Sequence, residues 1–302
     1  MIKKVKFQFY INSWLIQKKL LVKESTFSRY TEIVNIYISP FFSDMYTNKI
    51  NTEDVIKFLD YLINKKKLNN KTIKDIFVLL KQIFKYSNID IDVKTPKCNK
   101  KDINIMCKED QIKLENYICN NLNYYNFGIL LSLYTGLRIG ELCSLKWNNI
   151  DLNKKIINVT NTILRIKNLD NNCSKTKIII DYPKSSNSIR TIPIPTEIFN
   201  ILIKMKINVQ NDNNYILTNN SKYIEPRTYY YTYKKIMKSL NLDKYNFHCL
   251  RHTFATRCIE LGFDYKTLSE ILGHSDVKMT LSFYVHSSNE LKVKNMEKLK
   301  MY

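Results

Sequence analysis

The chain has 302 residues, 44% of them hydrophobic, which is room for one or two domains with buried cores. Its 48 basic and 27 acidic residues leave a formal charge of +21, a balance that favours a polyanionic partner such as nucleic acid. No apolar run approaches the roughly 18 residues of a membrane span, and Met1–Gln8 lacks the apolar stretch of a secretion signal, so neither a spanning nor a secreted protein is expected.

The first ninety residues read as helical throughout. Phe7, Tyr10, Ile11, Trp14 and Leu15 recur at helical spacing, as do Tyr30, Ile33, Val34 and Tyr37. Asn51 or Thr52 can cap a third helix bearing Val55, Phe58, Leu59 and Leu62. A fourth, from about Lys71 to Tyr86, lines Ile73, Ile76, Phe77, Leu80, Ile83 and Phe84 along one side. These segments predict a small bundle over residues 1–90. Lys23, Lys65, Lys66, Lys67 and Lys71 fall between them, either as solvated surface or as phosphate contacts.

Periodicity is lost over 91–106, where Pro96 and clustered lysines suggest a linker. Helices resume with Lys108–Leu122 and the strongly apolar Tyr124–Tyr134. Strand-like runs follow at 156–159, 178–182 and 190–194, with a polar loop over Asn168–Lys175 and Pro183–Ser188 expected as the hairpin turn joining the last two strands. Past Pro195 the pattern predicts helix to the end. Residues 107–302 thus read as a helical domain with a small antiparallel sheet and an amphipathic tail helix over Ser287–Tyr302.

Seven irregularly spaced Cys contain no Cys-x-x-Cys pair, which fits reduced cytoplasmic thiols better than a zinc ribbon or a disulfide framework. No phosphate loop suggests ATP or GTP. The informative chemistry is late. Phe-His-Cys-Leu-Arg-His-Thr-Phe-Ala-Thr spans 247–256, Leu-Gly-His-Ser spans 272–275, and Tyr284 stands ten residues beyond His274. Arg138 lies earlier, between two of the five glycines, in Tyr-Thr-Gly-Leu-Arg-Ile-Gly-Glu-Leu (134–142).

Planar, permanently charged guanidiniums suit the oxygens of a phosphodiester, and charge that builds up during attack needs such donors. Arg138 and Arg251 are the candidates. Glu141, three residues on, can face Arg138 across a helical turn. His248, Arg251 and His252 share one helical face, and either His can take a proton from a Tyr hydroxyl. His274 can donate to a phosphate oxygen, and Tyr284 is the nucleophile candidate. The 5′-hydroxyl leaving group needs an acid, for which Lys184 in the turn is available. His286 reads as packing or solvent-facing.

Taken together, Thr135-Gly-Leu-Arg-Ile-Gly-Glu-Leu, Pro183-Lys-Ser, Arg190-Thr-Ile-Pro, His248-Cys-Leu-Arg-His, Leu272-Gly-His-Ser and Tyr284-Val-His resemble, in order and spacing, the tyrosine recombinase (phage-integrase-type) family. The likeness is clear over roughly 108–290; the front bundle resembles the family's SAM-like core-binding domain by pattern and position. The resemblance implies a mainly α protein with an α+β catalytic domain that cuts and rejoins DNA through a 3′-phosphotyrosyl link. It assigns the phosphate clamp to Arg138 and Arg251, and proton transfer to His248 rather than His252. It further implies His274 as a phosphate contact, Lys184 as general acid and Tyr284 as nucleophile. Neither cofactor nor metal is implied. The implied partners are double-stranded DNA, three further copies in a tetramer on two sites, and accessory bending or directionality factors. The core-binding helices begin almost at once, which resembles the minimal two-domain layout. Type IB topoisomerase-like relaxation and a catalytically silent DNA-binding protein are the competing readings.

Overall fold

The computed structural model describes residues 5–98, 104–169, 174–181, 189–274, 276–277 and 296–297. The chain divides into two compact units, one comprising Met1–Lys101 with Arg165–Lys177, the other Asp102–Leu164 with Ile178–Tyr302.

In the first unit α1 (Phe7–Leu21) is followed by α2 (Glu24–Ile33), which runs through a wide turn at Val34–Ile38 into α3 (Ser39–Phe42). Asn51 caps α4 (Thr52–Asp60): its side chain accepts from the Asp54 N–H while the Asp54 carboxylate accepts from the Asn51 N–H. α5 (Asn70–Tyr86) closes the bundle and turns Ile73, Ile76, Phe77, Leu80, Ile83 and Phe84 inward. Phe42 is the hub, with ring centroids 5.9 Å from Phe7, 5.0 Å from Phe58 and 5.8 Å from Phe84, all edge-on.

The second unit is built around α7 (Tyr124–Thr135), whose burial on nearly every side matches its almost uninterrupted apolar sequence. α6 (Lys108–Asn120), the short α8 (Ile139–Ser144), α9 (Thr196–Lys206), α10 (Pro226–Ser239), α11 (Phe247–Glu260) and α12 (Tyr265–Leu272) complete its helices. An antiparallel sheet runs in the order β1 (Ile150–Asp151), β2 (Ile156–Val159), β5 (Arg190–Pro193); β3 (Thr162–Lys167) pairs with β4 (Thr176–Asp181).

The strands on either side of Pro183–Ser188 therefore have different partners: β4 joins β3, and β5 joins β2 with Ile157 opposite Ile192 and Val159 opposite Arg190. The expected hairpin between β4 and β5 is not the pairing found among the described residues. The expectation of helix throughout after Pro195 also needs correction. Between α9 and α10 the chain turns repeatedly, with Tyr215 bridging to Lys146 and Asn220. Asn211, Asp212, Asn213, Asn214, Asn219 and Asn220 crowd this segment, and such residues offer the backbone local hydrogen bonds that compete with helix.

Among the described residues no helix is long and apolar enough to cross a membrane. The tail over Ser287–Tyr302 lies outside the described residues apart from the exposed Met296 and Glu297.

Candidate active site

Five elements of the second unit have an end at one place. α7 stops at Gly136, whose φ of +66° favours glycine; a Cβ there would come within 2.9 Å of the Phe254 and Leu272 side chains. The chain then turns into α8 with Arg138 as its N-cap residue. Gly140 lets this turn lie against β3, since a Cβ would stand 2.6 Å from the Ile163 carbonyl oxygen. β5 contributes its first residue, Arg190. α11 presents His248, Arg251 and His252 from its first turns, and α12 arrives with its carboxyl end, Ile271–Gly273, followed by His274.

Three guanidiniums converge on that carboxyl end. Arg190 donates from Nε to the Ile271 carbonyl at 2.6 Å, Arg251 from Nη2 to Leu272 at 2.7 Å, and Arg138 from Nη2 to Gly273 at 3.4 Å. The last carbonyls of a helix have no partner within it and carry the negative end of its dipole, so cations are the natural caps. Arg251 is only 3% exposed and also donates from Nη1 to the Gly136 carbonyl at 2.8 Å, joining the ends of α7 and α12. The Arg138 side chain keeps 37% of its surface open.

Glu141 binds the other side of this group. Its Oε1 accepts from Arg138 Nη1 at 2.8 Å and Arg190 Nη1 at 3.1 Å; its Oε2 accepts from the Arg138 N–H and Arg190 Nη2, both at 2.9 Å. Burial alone would raise this carboxyl's pKa. The hydrogen bond and charge of Arg190, with the charge of Arg138, outweigh burial and hold it at about 2.

The imidazoles respond in the opposite direction. Burial, then the charges of Arg251, Arg138 and Arg190, push His274 down to about 4. Burial, then His248 and Arg251, does the same to His252. His248 is exposed as a residue, yet partial burial of its imidazole, then the charges of Arg251 and Arg138, lower its pKa. The His248 and His252 rings meet edge-to-face at 4.5 Å. All three are neutral at pH 7, able to accept a proton or donate through the N–H that remains.

The structure thus brings together Arg138, His248, Arg251 and His274 of the expected set, with Glu141 on Arg138. Lys184 and Tyr284 lie outside the described residues. Arg190 was not among the expected site residues. Its signal was present: in an alternating strand it shares a face with Ile192, and a charged residue on an apolar face needs a buried counter-charge. Among the described residues no group of three His, Cys, Asp or Glu side chains is placed to hold a metal ion.

Residues 97–290 match the model of the phage integrase family, and residues 6–63 match the phage-integrase N-terminal SAM-like domain. The chain belongs to the phage integrase family. A tyrosine recombinase XerC-like protein of Caldanaerobacter subterraneus subsp. tengcongensis is 30% identical to it over 320 residues, 96% of this chain and 81% of that protein. The transposase of transposon Tn916 from Enterococcus faecalis is 28% identical over 57% of this chain and 44% of its own length. Among solved structures, the Tn1549 transposon integrase in complex with a circular intermediate DNA superposes with a TM-score of 0.80 at 21% identity, over 97% of this chain and 99% of that one. Like its family, the chain is a tyrosine-type site-specific recombinase, mostly helical with small antiparallel sheets.

Proposed function

We propose that this recombinase acts on double-stranded DNA to move or rearrange a mobile element, with Tyr284 as its nucleophile. The Tyr284 oxygen attacks the scissile phosphorus and forms an O–P bond as the P–O5′ bond breaks. The phenolic proton passes to His248, and Lys184 gives a proton to the departing 5′ oxygen. A 5′-hydroxyl from a partner strand then reverses these steps and releases the tyrosine. The Arg138 and Arg251 guanidiniums stabilise the charge that gathers on the equatorial phosphate oxygens, and His274 donates to one of them. Bond energy stays in the phosphotyrosyl link, so strand joining needs no external energy source.

The observation that carries this reading is the approach of Arg138 and Arg251 to consecutive carbonyls of one helix end, with His274 next in the chain. Support for the substrate comes from the relatives: the transposase of Tn916 and the Tn1549 integrase belong by name to mobile elements, and the latter's structure contains DNA. Residues 1–90 serve as a core-binding domain that grips the duplex, residues 107–302 as the catalytic domain, and 91–106 as the linker that joins them. A homo-tetramer on two DNA sites, in the cytoplasm, is the working assembly, with accessory bending or directionality factors.

The test is a nicked suicide duplex carrying the element's end, which traps the covalent intermediate. Wild-type protein is expected to accumulate the adduct, and Tyr284→Phe to bind the duplex and form none. A Tyr284→Phe variant that still becomes linked to DNA would assign the nucleophile elsewhere.

A further inference from the structure

Arg190 has no part in the chemistry outlined above, yet it is one of three buried charged residues among those described, with Glu141 and Arg251. Pairing of β5 with β2 sets Arg190 opposite Val159, and alternation turns it inward beside Ile192. There its fork closes on both Glu141 oxygens, at 3.1 and 2.9 Å. Each of those oxygens also receives Arg138, one through its side chain and the other through its backbone N–H. One carboxylate is therefore gripped from two directions, and Arg138 inherits its orientation from that grip.

Without Arg190, Glu141 would keep Arg138 as its one arginine partner while remaining almost wholly buried. The carboxylate would then be free to rotate toward Arg138 and draw its guanidinium inward. Arg190 also reaches Ile271, the first of the three consecutive carbonyls that meet arginines, and so ties this arrangement to the helix end from which His274 departs.

We propose that Arg190 is a positioning residue for strand cleavage: it locks Glu141, which aims the Arg138 guanidinium at the scissile phosphate, and it anchors the same frame to the carboxyl end of α12. The proposal rests on the reading of Arg138 as a phosphate-binding group.

A double-mutant cycle tests it. Single-turnover adduct formation is measured on the nicked suicide duplex at saturating DNA for wild type, Arg190→Met, Arg138→Ala and the double variant. Arg190→Met is expected to lose on the order of 10²-fold in rate, the scale of an ångström-sized misplacement, with DNA affinity unchanged. In the Arg138→Ala background the same substitution is expected to cost little more, because both changes remove one function. A methylphosphonate at the scissile position, which lacks the charge Arg138 answers, should shrink the Arg190→Met deficit.

Equal losses in both backgrounds, an undiminished deficit on the methylphosphonate, or a wild-type rate for Arg190→Met would each overturn the proposal. Wild-type cleavage by Arg138→Ala would instead remove Arg138 from the phosphate, whatever Arg190 does. Should Arg190→Met melt below the assay temperature, Arg190→Lys replaces it in the cycle. It keeps the buried charge but cannot span two carboxylate oxygens and the Ile271 carbonyl together. The same two comparisons decide, with a smaller loss expected.

Discussion

The helical unit of α1–α5 fills its interior with Phe7, Trp14, Phe42, Phe58 and Phe84, and among its described residues the buried polar ones are the two serines Ser28 and Ser87. The second unit has an apolar core of similar character around α7, but it also buries Glu141, Arg190 and Arg251, all at the carboxyl end of α12. Buried charge is costly, and replacing such groups by well-packed apolar residues is often neutral or stabilising. The first unit shows that this sequence can fill a core without charges. The second retains three at one spot, and under the proposed function that spot is where the phosphate would be held.

The chain has two tryptophans, Trp14 in the first unit and Trp147 in the second, so each unit can be followed by its own fluorescence once the other is replaced by Phe. The largest expected effect is in the aromatic core. Phe42→Ala should cost about 3–5 kcal/mol, seen as early unfolding of the Trp14 signal in denaturant. A shift below about 1 kcal/mol would mean that the ring cluster around Phe42 is not what holds the bundle.

A pH titration sharpens the contrast. All four His follow residue 247, so the first unit has none. His252 and His274 stay neutral in the folded protein down to about 4, whereas in the unfolded chain they take up protons from about 6.5. The unfolded state therefore binds more protons in this window, and stability falls as pH drops. Glu141, held at about 2, keeps its full contribution until pH falls below the unfolded value of 4.5. Between pH 6.5 and 4.5 the melting temperature of the Trp147 signal should decline while that of Trp14 stays level. A flat Trp147 profile would contradict the lowering of these histidines by burial, reinforced by the neighbouring positive charges.

The smallest effect is local. Asn51→Ala removes a capping pair at α4 and should cost about 1 kcal/mol in the Trp14 transition, with no change in strand cleavage at saturating DNA.

Much of this was legible beforehand because it is local. The inward positions of α1, α4 and α5, and the cap at Asn51, follow from helical spacing and a single side chain. Arg138 and Arg251 stood out because charge is rare in their segments, and His248 and His274 were singled out by the family resemblance. What sequence did not disclose was non-local: that β5 pairs with β2 while β4 pairs with β3, and that Arg190 meets a carboxylate 49 residues away. Adjacency favoured a hairpin at Pro183–Ser188, but hydrophobic pattern sets which face of a strand is buried and not which strand lies beside it.

The central claim is that Arg138, Arg251 and Tyr284 act on one phosphorus atom. A structure of the wild-type protein trapped on its suicide duplex tests it directly. The account predicts a covalent bond from the Tyr284 oxygen to a 3′ phosphate whose remaining oxygens accept hydrogen bonds from both Arg138 and Arg251. A phosphotyrosyl group bound by neither guanidinium, or the two arginines holding phosphates at different positions along the strand, would contradict it.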